Sequence, residues 1–551
     1  MPARKKNLDK IRRRWGKPRE ETGSFSLIGA YAAGNDAPSY HRLNEQTCSD
    51  IDFRDLFRHT DHTTSRIGQQ YLYDRLLNPC GEEAPLKELD KQARYFTAND
   101  AAREKIQQLL LRMDHSDAYY LHLLLRDRLF KRPRWYWLTV VDSWLVVLLL
   151  LLSVHYSALL IVLLVPFAIN LMLHFWNKNN TYQFIKSFPQ LNLLLKVTRK
   201  LLAADIPFDN TEVAESLSRL NRFRRKSIWL SFGQTGGSEL AMLYYWVLEL
   251  LKALFLIELH SFFGLIRELE QRHADVRRIF CYTGAIDMAI SVASFRAGEG
   301  QTCVPTLVTP GSAAGVALAG GYTPDGLPKQ LQGRGLYHPL IRDCVINSLE
   351  IDGKGVLITG SNMSGKTTFL RTLGINSLLA QTIYTCCAEQ YIAPPFRLYS
   401  SIRIDDSVLE GKSYYFEEVN VMGELIAAAE VREPNLYLLD EVFKGTNMVE
   451  RIASAKAILT YLDRKGHIVV VSTHDLELSD MLKEHYDLYH FEEILQGNEL
   501  VFDHLLKAGP LRTRNAIRIL ALAGYPTEVI RDAEETSQRL SGERGVGDNG
   551  Q

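Results

Sequence analysis

Eight consecutive residues, Gly360-Ser361-Asn362-Met363-Ser364-Gly365-Lys366-Thr367, have the G-x-x-x-x-G-K-T spacing that cradles a polyphosphate. The glycines let backbone N–H groups curl around the phosphates, and the N-terminus of the helix behind them favours negative charge. Lys366 would reach the outer phosphates, and the Thr367 hydroxyl would ligate Mg²⁺. Thr368, at the start of the helix, completes the nucleotide-binding set. Further along, Asp440 and Glu441 end an apolar run. A carboxylate there holds Mg²⁺ through water, and its neighbour polarises the water that attacks the γ-phosphate. Asp440 takes the first role and Glu441 the second. His474, which follows a third apolar run, would sense the γ-phosphate. The expected catalytic set is therefore Glu441, His474 and Lys366. The expected metal set is Thr367 and Asp440, and the cofactors are ATP and Mg²⁺.

Three buried strands and one helix must carry these groups. Val356-Leu357-Ile358 reads as a strand entering the loop, and Thr368 to Leu379 as the helix leaving it. Asn435 to Leu439 and His467 to Ser472 read as neighbouring strands, each delivering its polar residues to one edge of a sheet.

Together these residues resemble the ATPase domain of the MutS-like proteins, the DNA mismatch-repair ATPases within the ABC-type ATPases. The resemblance rests on Asn362-Met363 inside the loop, on Asp440-Glu441 followed by Gly445-Thr446-Asn447, and on Ser472-Thr473-His474. An ABC transporter would show Leu-Ser-Gly-Gly-Gln ahead of the acidic pair, and this chain does not. Asp405-Asp406 and Gly411-Lys412-Ser413-Tyr414 are similar to the segment that completes the partner subunit's ATP site in the family. That likeness implies a homodimer in which Ser413 binds nucleotide across the interface; Tyr414 stands where the family has Thr. Tyr337-His338-Pro339 and Cys344-Val345-Ile346-Asn347 resemble the entry to the domain, with Cys344 in place of the aromatic that stacks on adenine. Thr63–Leu76 and Asp287–Phe295 resemble the start and end of the family's helical core.

The expected fold is an α-helical core and lever region with a transmembrane helical hairpin, followed by an α/β P-loop ATPase domain of ABC type. The boundaries are a basic N-terminal arm (1–40), the first part of the core (41–134), the hairpin (135–177) and the second part of the core (178–300). A Gly-rich linker (301–330), the ATPase domain (331–535) and a polar tail (536–551) follow. The hairpin is read from Ser143 to Trp176, where no Asp, Glu, Lys or Arg occurs. One span needs about 20 apolar residues, so the stretch divides into 136–154 and 157–176, turning near His155-Tyr156-Ser157. Arg126, Arg128, Lys131, Arg132 and Arg134 precede it, and Lys178 and Lys186 follow. Both ends are thus cytoplasmic by the positive-inside rule. The expected location is the cytoplasmic membrane, multi-pass, with the ATPase in the cytoplasm.

Basic residues crowd the first 19 positions, suiting either a solvated tail or a contact with anionic lipid or nucleic-acid phosphates. Over the whole chain 64 basic residues balance 64 acidic ones, so global charge argues neither for nor against nucleic acid. Seven cysteines without C-x-x-C spacing fit reduced thiols rather than zinc or a disulfide framework. No Phe-x-Glu, the mismatch-reading motif, occurs before Phe416, so that reader is expected to be absent. The expected function is a membrane-anchored ATPase whose dimeric site drives helical arms, with DNA binding or mismatch repair implied by resemblance. The alternative is a membrane-tethered, ATP-gated scaffold for a protein partner. Membrane lipid is an expected partner on either reading.

Overall fold

The computed structural model describes residues 2–20, 23–126, 133–227, 250–308, 326, 329–361, 363–403, 414–496, 499–511, 517, 520 and 524–544. The chain forms two compact units. The first comprises Met1–Pro38, Phe57–Leu77 and Lys87–Glu299; the second comprises Ser39–Leu56, Asn78–Leu86 and Gly300–Gln551.

The first unit is helical. Its labelled helices are α1 (Arg66–Leu77), α2 (Tyr136–Ser153), α3 (Leu164–Leu202) and α4 (His273–Gly298). The two segments that resemble the ends of a helical core meet here. Asp287 of α4 is fully buried, and its carboxylate accepts from Thr64 N (2.9 Å), Ser65 N (2.7 Å) and Ser65 Oγ (2.6 Å). These are free backbone donors at the start of α1, so α4 caps α1 through a side chain. The helices approach so closely at Gly68 that a Cβ there would lie 2.1 Å from Asp287 Oδ2. Burial pushes the Asp287 carboxyl up to about 6 against the pull of those donors.

Instead of an unstructured tail, the basic arm begins with a helix, Pro2–Arg14. Arg12 Nε and Nη2 donate to Glu104 at 2.6 and 3.0 Å, and the Arg103 guanidinium sits 3.6 Å above the Trp15 ring. Paired charge and a covered indole hold it to the helix Asp100–Leu110.

α2 is the one helix among the described residues long and apolar enough to cross a membrane, with mean hydropathy 1.9 over 18 residues. The chain turns after Ser153, and a shorter apolar helical stretch, Leu159–His174, follows. These helices are not core helices: only 17% of the α2 window is buried, and Trp137, Trp144, Leu151, Ile161 and Met172 are all more than half exposed. The second apolar segment does not stop at the composition change near Lys178. α3 runs unbroken through it to Leu202 and buries Phe188, Leu191, Leu194, Leu195 and Leu201 in the helical core. Ser143 Oγ and Asn170 Nδ2 donate to the carbonyls of Phe255 and Leu254, at 3.2 and 2.9 Å. There the backbone turns into the helix Ile257–Glu270 through a left-handed Leu256 (φ 48°).

The second unit is α/β. Its strands are β1 (Thr306–Leu307), β2 (Gln330–Leu336), β3 (Asn347–Asp352), β4 (Gly355–Thr359), β5 (Gln390–Ala393) and β6 (Arg397–Ser401). Then come β7 (Asn435–Asp440), β8 (Ile468–Thr473), β9 (Tyr486–His490), β10 (Glu493–Gln496), β11 (Glu499–Phe502) and β12 (Lys507–Ala508). Six of them form the central sheet, ordered β12-β9-β4-β8-β7-β6 and parallel except at the β12 edge. β4 and β8 are buried at every residue, as expected of parallel strands covered on both faces. A second sheet, β1-β5-β2-β3, lies in the same unit. The helices that matter for the site are α5 (Lys366–Thr382), α6 (Tyr414–Ala428) and α7 (Met448–Arg464).

Residues 41–56, assigned by sequence to the helical core, cluster with this unit, as do 39 and 40 of the expected arm. Asp50 explains the placement: its buried carboxylate accepts from Ser400 Oγ (2.6 Å), Ile402 N (3.0 Å) and Arg403 N (2.8 Å) at the end of β6. The linker expected over 301–330 lies largely outside the described residues; its first part, from Thr306, is strand β1.

Candidate nucleotide-binding site

The loop between β4 and α5 puts its backbone where a phosphate would lie. Gly360 (φ 151°) cannot be replaced without strain, because a Cβ there would come within 2.8 Å of Phe491 O and of Ser364 Oγ. Lys366 is buried at the start of α5. Its Nζ donates to the loop carbonyls of Gly360 (2.7 Å) and Ser361 (2.8 Å), and burial lowers its pKa to about 8. The Ser361 hydroxyl is buried with no hydrogen-bond partner among the described residues. A cation held on loop carbonyls beside an orphaned hydroxyl is a cradle suited to an anion. Asn362 and Ser413 lie outside the described residues, as do Asp405, Asp406, Gly411 and Lys412; Met363 is exposed at the loop tip.

Adjacent parallel strands bring the acidic and basic groups to the same edge. Thr367 Oγ1 donates to Asp440 Oδ2 at 2.6 Å, and Ser472 Oγ donates to Asp440 Oδ1. A hydroxyl and a carboxylate already in contact are the hard oxygen ligands Mg²⁺ takes, so these residues fit that ion. Glu441 follows in a turn, with Oε1 2.6 Å from His474 Nε2 and Oε2 2.8 Å from Lys444 Nζ. Burial alone would raise its pKa, but the hydrogen bonds from His474 and Lys444 outweigh it and bring the carboxyl down to about 2. His474 Nε2 also lies 3.4 Å from Lys366 Nζ. The Lys366 ammonium can only donate and the nearer Glu441 carboxylate, at 2.6 Å, can only accept, so a proton on Nε2 points at Glu441. Lys366, Thr367, Asp440, Glu441 and His474 thus form one connected constellation.

Three groups beyond that set shape the site. The turn after β7 carries two non-glycine residues in the left-handed region, Glu441 (φ 50°) and Phe443 (φ 62°). Glu418 of α6, buried at 2% exposure, fixes this turn by accepting from Lys444 N (2.9 Å) and Gly445 N (3.0 Å). Beside the phosphate loop lies a pocket of about 520 Å³ whose lining includes Leu336, Cys344, Val345, Phe369, Phe491 and His504. Cys344 removes an aromatic from it, whereas Phe491 and His504 supply rings the sequence does not announce. His504 Nδ1 lies 3.0 Å from Ser364 O, joining this wall to the phosphate loop. Lys444, three residues after Glu441, carried a local signal; Phe491 and His504, over a hundred residues past the loop, carried none.

Residues 356–541 match the family described as MutS domain V. The chain is also similar to proteins named DNA mismatch repair protein MutS. It is 32% identical over 235 residues to the one from Thermus aquaticus, covering 42% of this chain and 29% of the relative. It is 32% identical over 220 residues to the one from Thermotoga petrophila, covering 38% and 27%. With the one from Pseudothermotoga lettingae the identity is 30% over 281 residues, covering 48% and 33%. The chain therefore spans about three tenths of the length of the curated relatives it matches. The family segment takes in β4, the phosphate loop, Asp440, Glu441 and His474.

Proposed function

We propose that this chain is a membrane-anchored MutS-like ATPase that binds and hydrolyses ATP in the composite site of a homodimer. The single observation that carries the ATPase reading is the connected constellation of Lys366, Thr367, Asp440, Glu441 and His474, set within a segment that matches MutS domain V. Lys366 leaves its loop carbonyls for the β- and γ-phosphates as the loop N–H groups and the Ser361 hydroxyl close on them. Thr367 and Asp440 would hold Mg²⁺, whose charge would be available to the phosphate oxygens. Glu441, ionised at neutral pH, accepts a hydrogen bond from the attacking water and orients it. His474 positions that carboxylate and faces the phosphate being transferred. The pocket beside Phe491 and His504 takes the base.

The Glu441→Gln variant tests this reading. It keeps Asp440 and Thr367, so ATP and Mg²⁺ binding persist while turnover falls by about 10²–10⁴, the range for losing a positioned general base. Lys366→Ala instead weakens nucleotide binding. Hydrolysis at the wild-type rate by Glu441→Gln removes the assigned role.

The membrane reading rests on the run of exposed apolar residues along α2 and the stretch after it; only 17% of the α2 window is buried. The two segments form a hairpin whose ends, and the ATPase, face the cytoplasm. ATP-driven changes move the helical unit, and by the likeness to MutS proteins its target is DNA. The balanced charge, 64 against 64, argues neither for nor against DNA, and a second reading stands beside the first: a membrane-tethered, ATP-gated scaffold for a protein partner. Duplex affinity measured in detergent at several salt concentrations separates the two. DNA binding predicts affinity that falls steeply with salt; no measurable affinity leaves the scaffold.

A further inference from the structure

We propose that Cys303 and Cys386 form a reversible disulfide that staples the chain entering the α/β unit to the segment behind the phosphate-loop helix. The two residues face each other across an isolated antiparallel bridge and exchange both backbone hydrogen bonds, Cys303 N to Cys386 O and Cys386 N to Cys303 O, each at 2.9 Å. Side chains of such a pair leave the strands on the same face, from Cα atoms about 5.5 Å apart, inside the window of about 4.4–6.8 Å that disulfides span. Cβ atoms of directly opposed residues stand about 4.5–5.5 Å apart, a little beyond the separation a relaxed disulfide prefers. Closure therefore draws the strands together, and the resulting bond is readily reduced, the property of a labile rather than a structural disulfide.

The surroundings divide the roles of the two thiols. Cys303 is partly exposed and Cys386 is buried. A hydrogen bond with Cys386 holds the Cys303 thiol below its ordinary value, so Cys303 is the thiol that reacts first. Its thiolate attacks an oxidised low-molecular-weight thiol such as glutathione disulfide, forming a mixed disulfide and releasing one glutathione thiolate. Cys386, giving up its proton, attacks the Cys303 sulfur and displaces the second glutathione. Two protein S–H bonds become one S–S bond, and the glutathione disulfide becomes two thiols.

The staple touches the site's scaffold. Cys386 Sγ donates to the carbonyl of Asn376 (3.5 Å) and Cys387 N donates to its side-chain oxygen (2.7 Å); Asn376 lies buried in α5, the helix that begins at Lys366. Oxidation removes the one Cys386 S–H, which Asn376 O and the Cys303 sulfur share, and ties the sulfur beside α5 to the chain leading into β1. Cytosolic disulfides, where they occur, are mostly transient redox devices of this kind.

The experiment treats the full-length protein in detergent, under native conditions, with glutathione disulfide, then alkylates with N-ethylmaleimide and maps peptides without reduction. The expected result is the loss of two of the seven alkylatable thiols and one linked peptide pair joining residues 303 and 386, lost again on dithiothreitol. Cys303→Ser forms no such link and keeps all six remaining thiols alkylatable, whereas Cys386→Ala forms no link and traps the mixed disulfide on Cys303, leaving five. The conservative serine at the partly exposed position guards against a folding defect. All seven thiols remaining alkylatable overturns the proposal. So does a mixed disulfide that stays on Cys303 of the wild-type protein, or a link to Cys387 or to Cys80, which packs beside the neighbouring Leu307 and Tyr384.

Discussion

Replacing Glu418 by Gln tests whether the turn carrying Glu441 is held from α6. The carboxylate is 2% exposed and accepts two backbone N–H groups, from Lys444 and Gly445. A glutamine keeps one oxygen acceptor but turns its NH₂ toward the other donor, so one bond to a charged acceptor is lost, about 2 kcal/mol. The turn has little reserve, because Glu441 and Phe443 each carry about 1–3 kcal/mol of left-handed strain. If the loss is expressed in the position of Glu441, kcat falls about thirty-fold, at 1.36 kcal/mol per factor of ten. The assay is steady-state phosphate release alongside binding of a non-hydrolysable ATP analogue. Affinity should stay within about two-fold of wild type, since Lys366 and the phosphate loop make no contact with Glu418 in the interactions described above. Glu418→Asp, which keeps the charge on a shorter stem, should fall between the two. An unchanged kcat, or an equal loss of analogue binding, would refute the reasoning.

Three further outcomes are expected. Lys366→Ala and a Ser413 variant should each be inactive as homodimers yet regain part of the activity when mixed; inactivity of mixed dimers that demonstrably form would show that the site is not shared. The wild-type protein should stay in the membrane pellet through carbonate washing, and replacing 136–174 by a short polar loop should release a soluble ATPase; wild-type protein wholly in the soluble fraction removes the anchor. Asp287 titrates near 6 in the folded chain and near 3.9 unfolded, so ionising it is a cost borne by the native state. Stability should therefore fall by up to about 3 kcal/mol as pH rises from about 4 to 6 and level off above; a denaturation series in which Asp287→Asn keeps the same slope would exclude Asp287 as its source.

The parts of the site legible in the sequence were those encoded by short-range pattern. The apolar run Val356-Leu357-Ile358 and the helix after Thr368 lie inside β4 and α5, because a buried parallel strand and a phosphate loop leave local signatures. The run from Asn435 became β7 and the run from His467 became β8, displaced by one residue. What escaped the sequence depends on which distant segments the fold brings together. Phe491 and His504 reach the pocket because β9 lies beside β4 in the sheet. Asp50 joins the α/β unit through donors 350 to 353 positions away. The boundary near Lys178 was a change of composition, and composition does not end a helix where neither Gly nor Pro interrupts the backbone there.

That continuous helix, with Pro189 inside its core-packed half, has a mechanical meaning. At about 1.5 Å per residue, the 39 residues of α3 trace about 58 Å of helix that joins an apolar end to a core-packed end. One residue inserted between 176 and 186 would rotate one end against the other by about 100°. Either Phe188, Leu191, Leu194 and Leu201 would then leave their packing or the apolar segment would swing to a new azimuth. Seven inserted residues, about two full turns, would restore the phase while lengthening the rod. On the proposed anchor reading, such a helix gears the membrane segment to the helical core rather than tethering it loosely.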